Sequence, residues 1–164
     1  MKQLLQQYSA YNLWANQKIA ETIKTLSEEK SSAEIISSFS SIQKTLSHML
    51  DAESIWWQRI KLAEHVEVPS VKFERNTDEL IKELLRSSQQ WNEWVHDANE
   101  PNLTHVIAYY NLKKEHFKQV INEILMHLFN HQTYHRGQIV TMLRQLGVDK
   151  IPSTDFITFT RKKN

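Results

Sequence analysis

Only two glycines and three prolines punctuate the 164 residues of this chain. So few backbone breakers cannot supply the many tight turns that a set of short strands requires, and long helices are favoured instead. The apolar residues agree. Leu4, Tyr8, Tyr11, Ala15 and Ile19 recur at three- and four-residue steps, the spacing of one helix face. The pattern predicts a first helix over about 2–26, a serine-rich connection over 27–40 and a second helix over about 41–63. A polar, proline-containing loop then leads to Asn76, with Glu79 three positions on, a spacing that reads as a capping box opening a third helix to about 98. Thr104–Tyr110 breaks the pattern, being β-branched and aromatic, and is followed by a turn-like Asn111–Lys114. A small β-hairpin is expected there, before the last long helix. That helix is expected over about 118–146, with Gly147 as its stop and Pro152 beyond it. No repeat or internal boundary divides the chain, so the expectation is one all-α helical-bundle domain over 1–164.

Composition narrows the function classes. The length suffices to bury a core without disulfides, and there is no cysteine. A thiolate metal site and a cysteine nucleophile are therefore excluded, and any sulfur chemistry must use sulfur brought by a substrate. Twenty Lys and Arg against 19 Asp and Glu, spread along the chain, give a net charge of +1, which argues against nucleic acid or an acidic membrane surface as partner. The basic end, Arg161–Lys163, reads as a solvated tail. No run approaches the roughly 18 apolar residues of a spanning helix, and the start lacks a signal-like apolar segment. The default is a soluble cytoplasmic protein acting on a small molecule.

The chemistry concentrates in His131-Gln-Thr-Tyr-His135-Arg-Gly-Gln138. Residues four apart on a helix share a face one turn apart, which suits two ligands on one ion. Taking Ile121 as reference, Ile124, Leu125, Leu128, Ile139, Met142, Leu143 and Leu146 fall within roughly 60° of the apolar axis, and the two histidines within about 80°. Both point inward, where lost hydration favours the neutral, metal-binding imidazole. A backbone carbonyl, a carboxylate or a buried water would satisfy such a pair equally well, so a third ligand matters. His127 would extend the row, but lies about 120° from the axis. His48 in the second helix, with Thr45 and Ala52 as small neighbours, is the other source, although it sits off the stripe of Ile42, Leu46, Met49, Trp56 and Ile60.

The segment Leu46–Arg59 containing His48, together with His127–Ile139, resembles the DinB/YfiT-like family of metalloenzymes. The resemblance extends to Tyr11–Asn16 and to the Gly147–Asp155 tail, and thus covers nearly the whole chain. It implies a four-helix bundle of up-down-down-up type, a homodimer, and a divalent metal held by His48, His131 and His135. Three neutral nitrogen ligands leave a position open for water or substrate, and imidazole suits zinc, nickel and iron alike. His127 matches a frequently occupied family position. Some relatives act on low-molecular-weight thiols, as S-transferases or thiol-dependent isomerases, and a metal with an open position suits that chemistry by binding the thiol as thiolate.

Other polar residues are candidates for supporting roles. Glu53 falls within the apolar stripe of the second helix, where an unpaired carboxylate is costly; it either pairs with an arginine or tryptophan, or orients a histidine, or acts as a base. Arg59 and Arg136 offer planar forks for substrate carboxylates, or for ordinary salt bridges. Asn130 and Gln138 flank the histidine motif as candidate donors around the ligands, while Trp56, Trp57, Trp91 and Trp94 read as core or interface. The leading expectation is a metal-dependent transferase moving a small thiol such as bacillithiol onto electrophiles. The alternatives are a metal-assisted hydrolase and a non-enzymatic, dimeric metal-binding stress protein.

Overall fold

In the computed structural model, which describes residues 1–73, 76–111 and 113–161, four long helices form the body. They are α1 (Lys2–Ile23), α3 (Ile42–Ile60), α4 (Thr77–Asp97) and α6 (Ile121–Gln145). Short pieces fill the connections: α2 (Glu28–Ser32), a 3₁₀ turn (Pro69–Phe73), α5 (Glu100–Thr104), and α7 (Phe156–Thr160) after the last long helix. Strands β1 (Val106–Tyr110) and β2 (His116–Val120) form the expected hairpin, antiparallel, with Val106 opposite Val120 and Tyr110 opposite His116. Leu112 of the expected turn lies outside the described residues, as do Lys162 and Lys163 of the basic tail.

Side-chain contacts give the helix directions. Gln6 bonds to His96 and Ser9 to Asn92, so α1 and α4 run antiparallel. Gln43 meets Thr77 and Trp57 meets Trp91, so α3 and α4 run parallel. Tyr8 touches Phe129 and Asn16 meets Arg136, making α1 and α6 parallel. The order is up-down-down-up, and the long connection between α3 and α4 is what two successive parallel helices require.

Each long helix buries a stripe at three- and four-residue spacing, as Leu80, Leu84, Ser88, Trp91 and Val95 do on α4. The stripes meet in two apolar clusters. One gathers Ile23, Ile42, Met49, Ile81 and Leu143, and the other Leu5, Trp91, Leu103, Ile107 and Phe129. A buried polar layer of Asn12, Asn16, Glu53, Ser88 and Arg136 accompanies them. None of the helices among the described residues is long and apolar enough to cross a membrane.

The structure differs from the sequence expectations at several ends. The first helix stops at Ile23, and Ser27 caps the separate α2 within the serine-rich connection. The second long helix stops at Ile60, because Leu62 takes a positive φ of 56° and Ala63 N–H turns back to the Gln58 carbonyl. The last helix starts at Ile121 instead of 118, since pairing with β1 holds His116–Val120 in a strand. At Asn76 only half of the capping box forms: its side chain accepts from Glu79 N–H, while the Glu79 carboxylate turns to Lys82 at 3.5 Å.

Candidate metal centre

His131 and His135 stand one turn apart on α6, and His48 faces them from the antiparallel α3. Gln132, between the two, donates to the Met49 carbonyl at 2.9 Å and locks the two helices in register. The three Nε2 atoms converge. His131 Nε2 lies 2.9 Å from His48 Nε2 and 3.0 Å from His135 Nε2. Nitrogens sharing one first-row ion at about 2.0–2.1 Å must themselves lie roughly 3 Å apart, so the spacing fits a common ion. Among the described residues, these three are the His, Cys, Asp and Glu side chains grouped closely enough to hold a metal.

Proton placement makes the same point. His135 Nδ1 lies 2.7 Å from Gln138 Oε1, and Gln138 Nε2 donates to Ser38 Oγ at 3.0 Å. The amide orientation makes Nδ1 of His135 the protonated nitrogen and leaves a lone pair on its Nε2. His131 Nδ1 is buried without a hydrogen-bond partner. A proton on that atom would have no acceptor, and a proton on Nε2 could be given to only one of two neighbours. A cation among the three Nε2 atoms takes all three lone pairs and removes the conflict between them, and the His131 proton then sits on Nδ1. Burial, reinforced by the neighbouring imidazoles of His135, His48 and His127, pushes His131 down to about 3. Burial is also the main cause that lowers His48 and His135, with Asp51 opposing it at the former and the Gln138 bond at the latter. All three are neutral near pH 7, the form that ligates.

Phe39, from the connection between α2 and α3, covers the triad. Its ring stacks on His48 at 4.4 Å and meets His135 edge-on at 5.6 Å. Neither Phe39 nor Ser38 was legible in the sequence as part of a site, because the segment carrying them has no periodicity to orient it.

The remaining candidates lie elsewhere. Glu53, 0 % exposed, contacts none of the histidines: Asn12 Nδ2 donates to it at 3.2 Å, and Ser88 Oγ lies 2.9 and 3.0 Å from its two oxygens. Burial pushes this carboxyl up to about 7, against hydrogen bonds from serine and asparagine and the charge of Arg136. Trp91 Nε1 donates to the Glu53 carbonyl at 3.1 Å. The tryptophan partnership is thus made through the backbone, and the arginine is reached through Asn12. Arg136 points into the core, donating to Asn12, Asn16 and Thr133 at 2.7–2.9 Å, and is only 2 % exposed. No substrate carboxylate reaches it there. Arg59 lies over the rings of Trp56 and Tyr109, 4.7 Å from each centroid, and lines a surface cavity of about 320 Å³. His127 is exposed, with its ring 5.8 Å from that of His131 and outside the converging set. Asn130 is exposed as well.

Comparison with known proteins agrees with this architecture. The family model described as "DinB family" matches residues 1–163. Protein DinB of Bacillus subtilis (strain 168) is 32 % identical over 155 residues, covering 89 % of this chain and 87 % of that protein. The crystal structure of a DinB-like protein from Bacillus cereus ATCC 10987 superposes with a TM-score of 0.65 at 18 % identity, over 85 % of this chain and 89 % of the other, a likeness in fold. The chain belongs to the DinB family.

Proposed function

We propose that this protein binds one divalent metal ion per chain through His48, His131 and His135, and transfers a low-molecular-weight thiol onto electrophilic carbon. The observation that carries the reading is the convergence of the His48 and His135 Nε2 atoms on His131 Nε2, at 2.9 and 3.0 Å. Three ligands, not four, favour a reactive site over a closed structural one. A bound divalent ion would supply Lewis acidity at its open position, lowering the pKa of a thiol there. The chain does the rest. Gln138 fixes the His135 tautomer, Gln132 holds the two ligand helices together, and Phe39 shields one side of the triad from water. In the overall reaction the thiol sulfur forms a bond to carbon, the leaving group departs with the bonding pair, and the thiol proton goes to solvent. With no cysteine in the chain, the sulfur belongs to the added thiol. Since Arg136 is enclosed, Arg59 is the arginine that remains for a carboxylate-bearing thiol such as bacillithiol.

The test is a thiol panel of bacillithiol, cysteine, glutathione and coenzyme A with monochlorobimane as electrophile. Metal-loaded protein is expected to accelerate conjugation with at least one thiol, and metal-free protein and a folded His48→Ala variant are expected not to. Ester or amide hydrolysis by loaded protein with no thiol-dependent rate replaces this reading with metal-assisted hydrolysis.

A further inference from the structure

A second pocket lies one helical turn from the triad. It has a volume of about 280 Å³ and is lined by Trp56, Tyr109, Gln119, Glu123, Ile124 and His127. Its walls are held in place: Tyr109 stacks on Phe117 at 6.0 Å, and Trp56 meets both Tyr109 and His127 edge-to-face at 5.0 and 5.8 Å. A small, preformed, largely aromatic cavity with a few polar groups at its margin is the usual form of a small-molecule site.

Its polar groups are biased toward accepting. Gln119 Nε2 donates to Glu123 Oε2, which engages one of the amide's two N–H donors and leaves its oxygen and the second carboxylate oxygen free to accept. Glu123 is the one formally charged residue in the lining, and no cation lies within salt-bridge distance of it among the described residues. Arg59 lines the neighbouring cavity and not this one, its guanidinium 4.7 Å from the Trp56 and Tyr109 ring centroids. The place of Glu123 in the first turn of α6 accounts for a carboxylate as a helix-end charge, but not for the aromatic walls around it. We propose that this pocket binds an amine, with the hydrocarbon part against Trp56, Tyr109 and Ile124 and the ammonium on Glu123. Next to the triad, it is the subsite for an amine-bearing part of the thiol or electrophile. That role rests on the function proposed above, while the binding itself does not.

Titration of full-length protein with phenethylamine and with hydrocinnamate, near-isosteres of opposite charge, followed through the Trp56 indole resonance, tests the proposal. Phenethylamine is expected to bind saturably, and hydrocinnamate at least roughly tenfold more weakly. Glu123→Gln, a surface change that leaves the fold intact, should weaken the amine by about the same factor, whereas Glu64→Gln should not. Equal affinity for the two probes, or an unchanged affinity in Glu123→Gln, overturns it. Metal-free protein should bind the amine as well as loaded protein does, so loss of thiol transfer in every preparation would sink the proposed function and leave the pocket standing.

Discussion

Gln138 makes the smallest testable claim. It holds the proton of His135 on Nδ1, and such outer partners typically contribute 10–100-fold in metal affinity. Gln138→Ala is therefore expected to weaken binding by about that factor in a metal titration; unchanged affinity would mean that the bond does not tune the ligand. Glu53 gives a pH-dependent claim. Its folded value of about 7 lies above the ordinary 4.5, so the unfolded chain releases this proton first as pH rises. The stability contribution is full below about 4.5 and is lost progressively up to about pH 7. Relative to Glu53→Gln, wild-type protein should lose about 3 kcal/mol across that window in denaturant unfolding; parallel pH curves for the two would contradict the burial of an ionisable carboxyl. That Glu53 needs partners is visible in its sequence position, inside an apolar stripe. Which partners is not, because Asn12 and Ser88 arrive from two other helices.

Helix ends carry the next level. Two long helices finish with the same pair of bonds: Gly147 and Val148 N–H return to the Arg144 and Leu143 carbonyls after α6, and Leu62 and Ala63 N–H return to Arg59 and Gln58 after α3. The motif needs a positive φ at its pivot, which is 83° at Gly147 and 56° at Leu62. Gly147→Ala should therefore destabilise by about 1 kcal/mol and Leu62→Gly, at an exposed site, should stabilise by up to about that much. Thermal unfolding checks both signs, and shifts in the same direction would refute the shared motif. The glycine made the end of α6 readable in advance. The leucine hid the end of α3, and apolar periodicity continuing through Ile60 carried the expected helix past it. The extent of strand β2 was hidden for a related reason: His116–Val120 has no alternation strong enough to outweigh the helix that follows, and only pairing with β1 fixes its end.

For the molecule as a whole, the bundle class and the hairpin were legible because four periodic stretches and one β-branched break dominate the sequence. His131 and His135 were legible from their spacing as an inward-facing pair, open to a metal, a carbonyl, a carboxylate or a water. His48 was not, since it sits off its helix's stripe and became a candidate through resemblance to a family. The structure brings its Nε2 to the other two because α3 and α6 run antiparallel at the level set by Gln132 and Met49. Exposed Leu4 on α1 motivates the proposal of a two-fold dimer built from helix faces, to which the core-packed Trp56, Trp57, Trp91 and Trp94 do not contribute. Light scattering at micromolar concentration should give twice the chain mass, and a single-chain mass would remove the dimer without touching the triad.

Metal content, measured on extensively dialysed wild-type protein beside a folded His131→Ala, His135→Ala double variant, bears on the triad most directly. The wild type should retain about one divalent ion per chain and the double variant essentially none. Full occupancy in the double variant, or no retention and no stoichiometric uptake by the wild type, would contradict a metal centre at His48, His131 and His135.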